Sequence, residues 1–212
     1  MEDINHTAPA WEAIIEAFEA AHPRLRGQEP TCYHPFIPWS LGGDSPLDTI
    51  VVYDAEDYYY FLTCGFSEPF SQPVEGRKES GYGFELTVRL KKDSLKDAEK
   101  EKKGMAGILQ SLAALTFEEG EIYQPFEYIY TGQQTGLDAE AASKLTGFIT
   151  IPDSAGQVST PDGTVQFVQL IGMTDGELQA VINKEYTVSQ LVQRLGQTLT
   201  DYGRQELDLK KE

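Results

Sequence analysis

Gly65-Phe-Ser-Glu-Pro69 is the stretch that comes nearest to a nucleophile elbow, the G-x-S-x-G turn that presents a serine hydroxyl at the head of a helix. Two features oppose that chemistry. Pro69 stands where the second glycine would let the turn close, and Phe70-Ser-Gln-Pro-Val74 cannot begin the helix that supplies oxyanion donors. Ser67 is therefore expected to serve a turn. The histidines His6, His22 and His34 show no HxH, HExxH or HxxxH spacing, and Cys32 and Cys64 form no CxxC, so no metal site is expected. His34, between Tyr33 and Pro35, reads as a hydrogen-bonded structural residue. The 19 glycines include no G-x-x-x-x-G-K-[ST] and no strand-linked G-x-G-x-x-G, so no nucleotide cofactor, and no cofactor of any kind, is expected. Asp48, Glu68 or Glu85 could form a general acid–base pair, but with 34 acidic residues in the chain any two carry little weight. The expectation is a protein that is not an enzyme, with a hydrolase using Ser67, His34 or a carboxylate pair as one alternative.

Two glycine-bearing stretches stand out more than any catalytic set. In Leu41-Gly-Gly-Asp-Ser-Pro-Leu-Asp48 the glycines permit close backbone approach, Pro46 fixes one φ, and Asp48 can cap the turn into the next strand. Ser80-Gly-Tyr-Gly-Phe-Glu-Leu86 likewise places small residues just before a strand. Both read as structural loops or as a binding rim on a sheet edge. The rim candidates are Trp39, Asp44, Asp48, Glu68, Tyr82, Glu85 and Arg89, with Glu85 and Arg89 on one strand face and near enough to pair.

The elements that must position these loops follow from periodicity. Trp11, Ile14, Ile15 and Phe18 fall at i, i+3, i+4 and i+7 between Pro9 and Pro23, which predicts an amphipathic helix over about residues 9–21. Thr49-Ile-Val-Val-Tyr53 and Tyr58-Tyr-Tyr-Phe-Leu-Thr-Cys64 read as a hairpin. Phe84, Leu86, Val88 and Leu90 alternate with Glu85, Thr87 and Arg89, which predicts a half-buried strand. Met105, Ile108, Leu109, Leu112 and Leu115 predict a helix over 95–115, and strands are expected at 126–130, 147–151 and 164–171. Thr174 with Glu177 and Thr187 with Gln190 open two further helices as capping boxes. The architecture expected is one α+β domain over residues 1–212, a mainly antiparallel or mixed sheet packed with helices, with its core at about 9–199 and a frayed tail at 208–212.

Charge narrows the partners. The net formal charge is −17, and residues 1–90 carry 5 basic and 15 acidic side chains, 91–103 carry 6 and 4, and 104–212 carry 6 and 15. The interleaved 91–103 stretch reads as the solvated start of a helix. Nucleic acid is excluded as a nonspecific partner, because that affinity comes from Lys and Arg displacing phosphate counterions, and anionic membrane surfaces are disfavoured likewise. No apolar run approaches a membrane span, and Met1-Glu-Asp-Ile-Asn-His-Thr7 lacks the features of a signal peptide, so a cytoplasmic protein with two reduced, buried thiols is expected.

Leu41-Gly-Gly-Asp-Ser-Pro-Leu-Asp48 with Ile50 and Tyr53, then Gly65-Phe-Ser-Glu68, then Ser80-Gly-Tyr-Gly-Phe-Glu-Leu-Thr-Val-Arg-Leu90, in this order and spacing, resembles the Suppressor of Fused (SUFU) domain family. Val165-Gln-Phe-Val-Gln-Leu-Ile-Gly-Met-Thr174 with Glu177-Leu178 is similar to that family's second signature. Cys64 stands where the family often has tyrosine. The resemblance implies an α+β fold like the SUFU N-terminal domain, built on Gly42, Gly43, Pro46, Leu47, Gly65, Phe66, Ser67, Gly81, Gly83 and Phe84. It implies a non-catalytic protein-binding role. In the animal member a second, C-terminal domain helps grip an extended peptide by strand addition, and a chain of this length is expected to hold the first domain alone. Single-domain bacterial members are associated with immunity to polymorphic toxins. The leading expectation is thus an immunity protein whose acidic surface meets a basic toxin domain. The alternative is a peptide-binding adaptor that adds an extended peptide as a strand, with Phe84–Leu90 as the candidate edge.

Overall fold

Val51 lies opposite Leu62 and Tyr53 opposite Tyr60 in the predicted hairpin: β2 (Thr49–Asp54) pairs antiparallel with β3 (Tyr58–Cys64). These contacts come from a computed structural model that describes residues 9–35, 37, 43, 45–68 and 78–209, with the side chains of 9–11 excepted. Trp39, Gly42 and Asp44 lie outside the described residues. α1 (Pro9–Ala21) precedes β1 (Thr31–Tyr33), a short strand that pairs antiparallel with β2 and that periodicity did not reveal.

After β3 come β4 (Glu79–Lys91), a 3-10 turn at Lys92–Ser94, and α2 (Ala98–Glu119). Then follow β5 (Tyr128–Tyr130), β6 (Leu145–Thr160), β7 (Gly163–Thr174), α3 (Asp175–Ile182) and α4 (Val188–Leu195). α2 begins later than its apolar spacing suggested because Asp97 accepts the Lys100 N–H as N-cap, and it runs to a left-handed Gly120. Both predicted capping boxes form, Thr174 with Glu177 and Thr187 with Gln190.

The seven strands are ordered β1-β2-β3-β4-β7-β6-β5. Only β4 and β7 run parallel among the named pairs, so the α+β mixed sheet expected from sequence is the fold observed. Alternation along the strands divides the core between two faces. Ile50, Val52, Phe61, Leu86, Val88 and Leu170 pack with Met105 and Leu109 of α2. Val51, Tyr53, Tyr60, Leu62 and Phe167 pack with Ile14 and Phe18 of α1, while Ile149, Ile171 and Met173 pack with Leu178 and Leu191 of α3 and α4.

Three expectations change here. β4 is not half-buried: it is paired on both sides, by β3 and β7, and Glu85 and Thr87 are as fully buried as Leu86 and Val88. Strand addition at 84–90 is therefore geometrically closed. Within the basic stretch, Glu101 and Lys102 are buried rather than solvated, with the Lys102 ammonium 5.0 Å from the Tyr59 ring centroid and 2.6 Å from Glu99. Cys64 is buried, but Cys32 is exposed on β1.

Candidate functional site

The glycine-rich motifs build a clasp rather than a rim. Gly65 has φ 143° and packs its backbone on Pro46, Leu47 and Asp48, while Gly81 at φ 55° packs on the carbonyls of Phe66 and Glu68; a Cβ at either position would collide with backbone. Beneath this turn Glu85 is 0% exposed. Its Oε1 accepts from the Gly65 N–H at 3.0 Å, the Ser67 N–H at 2.9 Å and the Ser67 hydroxyl at 2.6 Å, and its Oε2 accepts from Thr63 Oγ1 at 2.6 Å. Burial pushes its carboxyl up to about 7, against the downward pull of the Ser67 and Thr63 hydroxyls and the two amides. Ser67 and Glu85 are sealed from solvent, and His34 Nδ1 faces the Asp48 carbonyl at 3.2 Å, so the residues considered for hydrolysis do not meet at an accessible point. Glu85, expected on a rim, is a core residue.

Arg89 is also drawn inward, and its partner is not Glu85 but Asp153 on β6, whose side chain is fully buried, with Nη2 3.7 Å from Oδ2. Asp153 Oδ2 also accepts from the Tyr60 hydroxyl at 2.5 Å and the Thr87 hydroxyl at 2.7 Å; Oδ1 accepts from the Ala155 N–H at 2.8 Å and lies 3.5 Å from His22 Nε2. Burial alone would raise this carboxyl, but hydrogen bonds from His22, Ala155, Tyr60 and Thr87 outweigh it and hold the group at about 2. The network ties the end of α1 to β3, β4 and β6. Of the other candidates, Tyr82 is half-buried with its ring edge-on to Phe66. Asp48 is exposed and Glu68 half-buried; burial with the nearby Asp48 and Asp162 pushes Glu68 up to about 7.

The accessible chemistry lies elsewhere, at one end of the sheet. β5 is an edge strand, as β1 is at the other end, and among the described residues it pairs with β6 alone. Among the described residues the large exposed apolar side chains are Ile37, Leu115, Phe126, Tyr128 and Tyr130, and all but Ile37 lie on β5, just before it, or on the adjoining end of α2. A cleft of about 540 Å³ is bounded by Leu115, Glu119, Glu121, Glu127, Tyr128 and Tyr130. A second, of about 740 Å³, shares Glu121, Glu127 and Tyr128 and opens toward Phe126 and Tyr186. The patch combines unpaired strand backbone, aromatic faces and three carboxylates. Sequence reading placed a strand at 126–130 but had no signal that it stands at an edge.

Thr150 shapes this edge from within. Its hydroxyl donates to the Gln124 carbonyl at 2.6 Å and accepts the Glu127 N–H at 2.8 Å, while its carbonyl accepts the Phe126 N–H at 2.8 Å. Those bonds hold Phe126 at φ 70°, a left-handed conformation that costs an L-residue about 1–2 kcal/mol. Thr150→Val keeps the shape and removes the hydroxyl, so it is expected to cost about 2 kcal/mol in urea unfolding. A change below about 0.5 kcal/mol would show that the hydroxyl does not hold the turn.

An α+β protein with a mixed seven-stranded sheet, covered on both faces by helices and open at β5, is the class that this geometry defines. It matches a chain in the Sufu–Fu complex crystal structure with TM-score 0.79 and 26% identity, covering 93% of this chain and 91% of that one. It matches Drosophila Suppressor of Fused with TM-score 0.78 and 25% identity, covering 93% of this chain and 50% of that one. The family model of Suppressor of fused protein (SUFU) matches residues 43–205, and the chain belongs to that family. The human and mouse Suppressor of fused homologs are each 26% identical over 160 residues, 68% of this chain. The chain spans 32% of the length of those two relatives.

Proposed function

We propose that this chain is a non-catalytic protein-binding domain that takes an extended segment of a basic partner onto the open edge of β5. The observation that carries this reading is the concentration of exposed apolar side chains along the edge strand, beside carboxylates of a chain whose net charge is −17. Main-chain pairing would give affinity, and the flanking clefts would select side chains. Opposite charge would steer the encounter and make it salt-sensitive. A relative that crystallises as the Sufu–Fu complex supports a protein partner.

Selection of displayed random peptides on the immobilised protein tests the reading. Enriched peptides are expected to be extended and rich in Lys or Arg, and to lose at least tenfold in affinity on Glu119→Lys/Glu121→Lys. Both side chains are exposed and, among the described residues, make no hydrogen bond or ion pair, and a lysine at position 119 suits the end of α2. Binding that is indifferent to these substitutions and to salt would refute the edge as the docking surface.

A finer reading is that the basic partner is a toxin domain and the chain a cytoplasmic immunity protein. It is supported by the family resemblance and the acidic charge. Co-expression with the product of a neighbouring toxin gene is expected to rescue growth, with the Glu119→Lys/Glu121→Lys protein failing to rescue. Equal rescue by both proteins would reject an acidic edge as the neutralising surface.

A further inference from the structure

Phe126 combines two unfavourable features: its backbone is left-handed at φ 70°, and the residue is 56% exposed, so the strain is not offset by burying the side chain. Lys184, on the other wall of the same cleft, is left-handed at φ 61° as the residue that follows the α3 cap, where the Lys184 and Glu185 N–H groups close on the Val181 and Ala180 carbonyls. Between them the cleft is walled by Ile122, Val181, Tyr186 and Val188, with a volume of about 740 Å³. The turn that presents Phe126 is pinned by Thr150 rather than left to find a relaxed state. Strain that the surrounding structure enforces at an exposed apolar residue is the mark of a preformed contact surface.

From this geometry we infer that the cleft beneath Phe126 and Tyr186 is a specificity pocket that receives one large apolar side chain, aromatic or leucine-like, from the same segment that pairs with β5. The inference rests on the strand-addition reading and adds to it a second, apolar requirement. Continuity of the two surfaces fixes the occupant: Glu121, Glu127 and Tyr128 line both clefts, so a segment lying on the β5 edge passes directly over this opening. The two clefts then differ in what they select. The one against Leu115 and Glu119 has acidic and aromatic walls suited to a cation, while the one under Phe126, which shares Glu121 and Glu127, adds the apolar walls of Ile122, Val181 and Val188 and a lysine, Lys184, that offsets one of those carboxylates. A second copy of the chain is a poor occupant, since two bodies of net charge −17 repel.

The test is the same peptide selection, read for position-specific preference. Enriched peptides should carry a large apolar residue at a fixed offset from their basic residue, and replacing it with alanine should weaken binding at least tenfold. Phe126→Gly accepts φ 70° without strain, so its unfolding midpoint should be unchanged or raised while affinity for those peptides falls at least tenfold. Peptides that depend on Glu119 and Glu121 but show no apolar position, or that bind Phe126→Gly within twofold of the parent, overturn the pocket and leave edge binding standing. No enriched peptide, or none sensitive to Glu119→Lys/Glu121→Lys, overturns both.

Discussion

Asp153→Ala is expected to destabilise the fold by about 3–5 kcal/mol, because it leaves a largely buried guanidinium, its side chain only 17% exposed, uncompensated. Arg89 stacks 4.7 Å from the Tyr60 ring centroid and donates to the Tyr60 hydroxyl at 2.8 Å, so it cannot swing to water without breaking the packing around Tyr60. Without Asp153, the Tyr60 and Thr87 hydroxyls and the Ala155 N–H also lose their acceptor. Burial and the Asp153 charge push the Tyr60 phenol far above its ordinary range, so it stays a donor and cannot take over the negative charge. Asp153→Ala/Arg89→Met should recover a substantial part of the loss, since an apolar pair replaces a stranded charge. Urea unfolding of the two single variants and the double variant measures this, and additive losses would show that the two groups do not act as a pair. Because the Asp153 carboxyl is held at about 2 against an ordinary 3.8, its contribution is complete above pH 4 and disappears as the pH falls through 2.

Glu85 should show the opposite pH dependence. Its carboxyl stands at about 7 in the folded protein against an ordinary 4.5, so the folded state holds the proton more tightly than the unfolded chain does. Its contribution is therefore complete below about pH 4.5 and is lost as the pH rises through 7, amounting to roughly 3 kcal/mol at about 1.4 kcal/mol per pH unit. The neutral acid fits without rebuilding the clasp. Protonated Oε2 can donate to Thr63 Oγ1, and the Thr63 hydroxyl can turn to the Leu86 carbonyl, 3.3 Å away. Glutamine reproduces that pattern, with its amide donating to Thr63 and its oxygen accepting from Gly65 and Ser67. Glu85→Gln should thus match the parent at pH 5, be at least as stable at pH 8, and lose most of the slope between them; the remainder belongs to Glu68, also at about 7. Glu85→Ala leaves the Gly65 and Ser67 amides and the Ser67 hydroxyl without an acceptor and opens a cavity, for an expected loss of about 4 kcal/mol at pH 5. Unfolding free energies of the three proteins at both pH values decide the matter. A Glu85→Gln protein that kept the full slope would mean that another group binds the proton.

These two carboxylates show where sequence reading stopped. Glu85, Thr87 and Arg89 alternate with apolar neighbours as cleanly as any solvent-facing set, and alternation was the right signal for a strand there. It could not tell an exposed polar face from a buried one whose polar groups satisfy one another. Thr63, Ser67 and the Gly65 and Ser67 amides reach Glu85 from 18 to 22 positions earlier, while Asp153 reaches Thr87 and Arg89 from 66 and 64 positions later. The 65–68 motif was legible as a turn and as part of a family signature, but the buried carboxylate that organises it was not.

The sequence by itself determined the elements that arise from local periodicity and local capping: α1 with its apolar stripe, the β2–β3 hairpin, the cores of β4, β6 and β7, the two capping boxes, the strongly acidic charge and the family. These depend on neighbours within a few residues, where side-chain direction and backbone satisfaction are set by spacing alone. The tertiary structure alone decided that β4 runs parallel to β7 at the centre of the sheet, that Glu85 on β4 and Asp153 on β6 are buried, and that β5 is left open beside Leu115, Phe126, Tyr128 and Tyr130. Strand order and burial follow from contacts between distant segments competing for the same apolar faces, and a short aromatic run such as 128–130 reads the same in sequence whether the fold places it at an edge or at the centre.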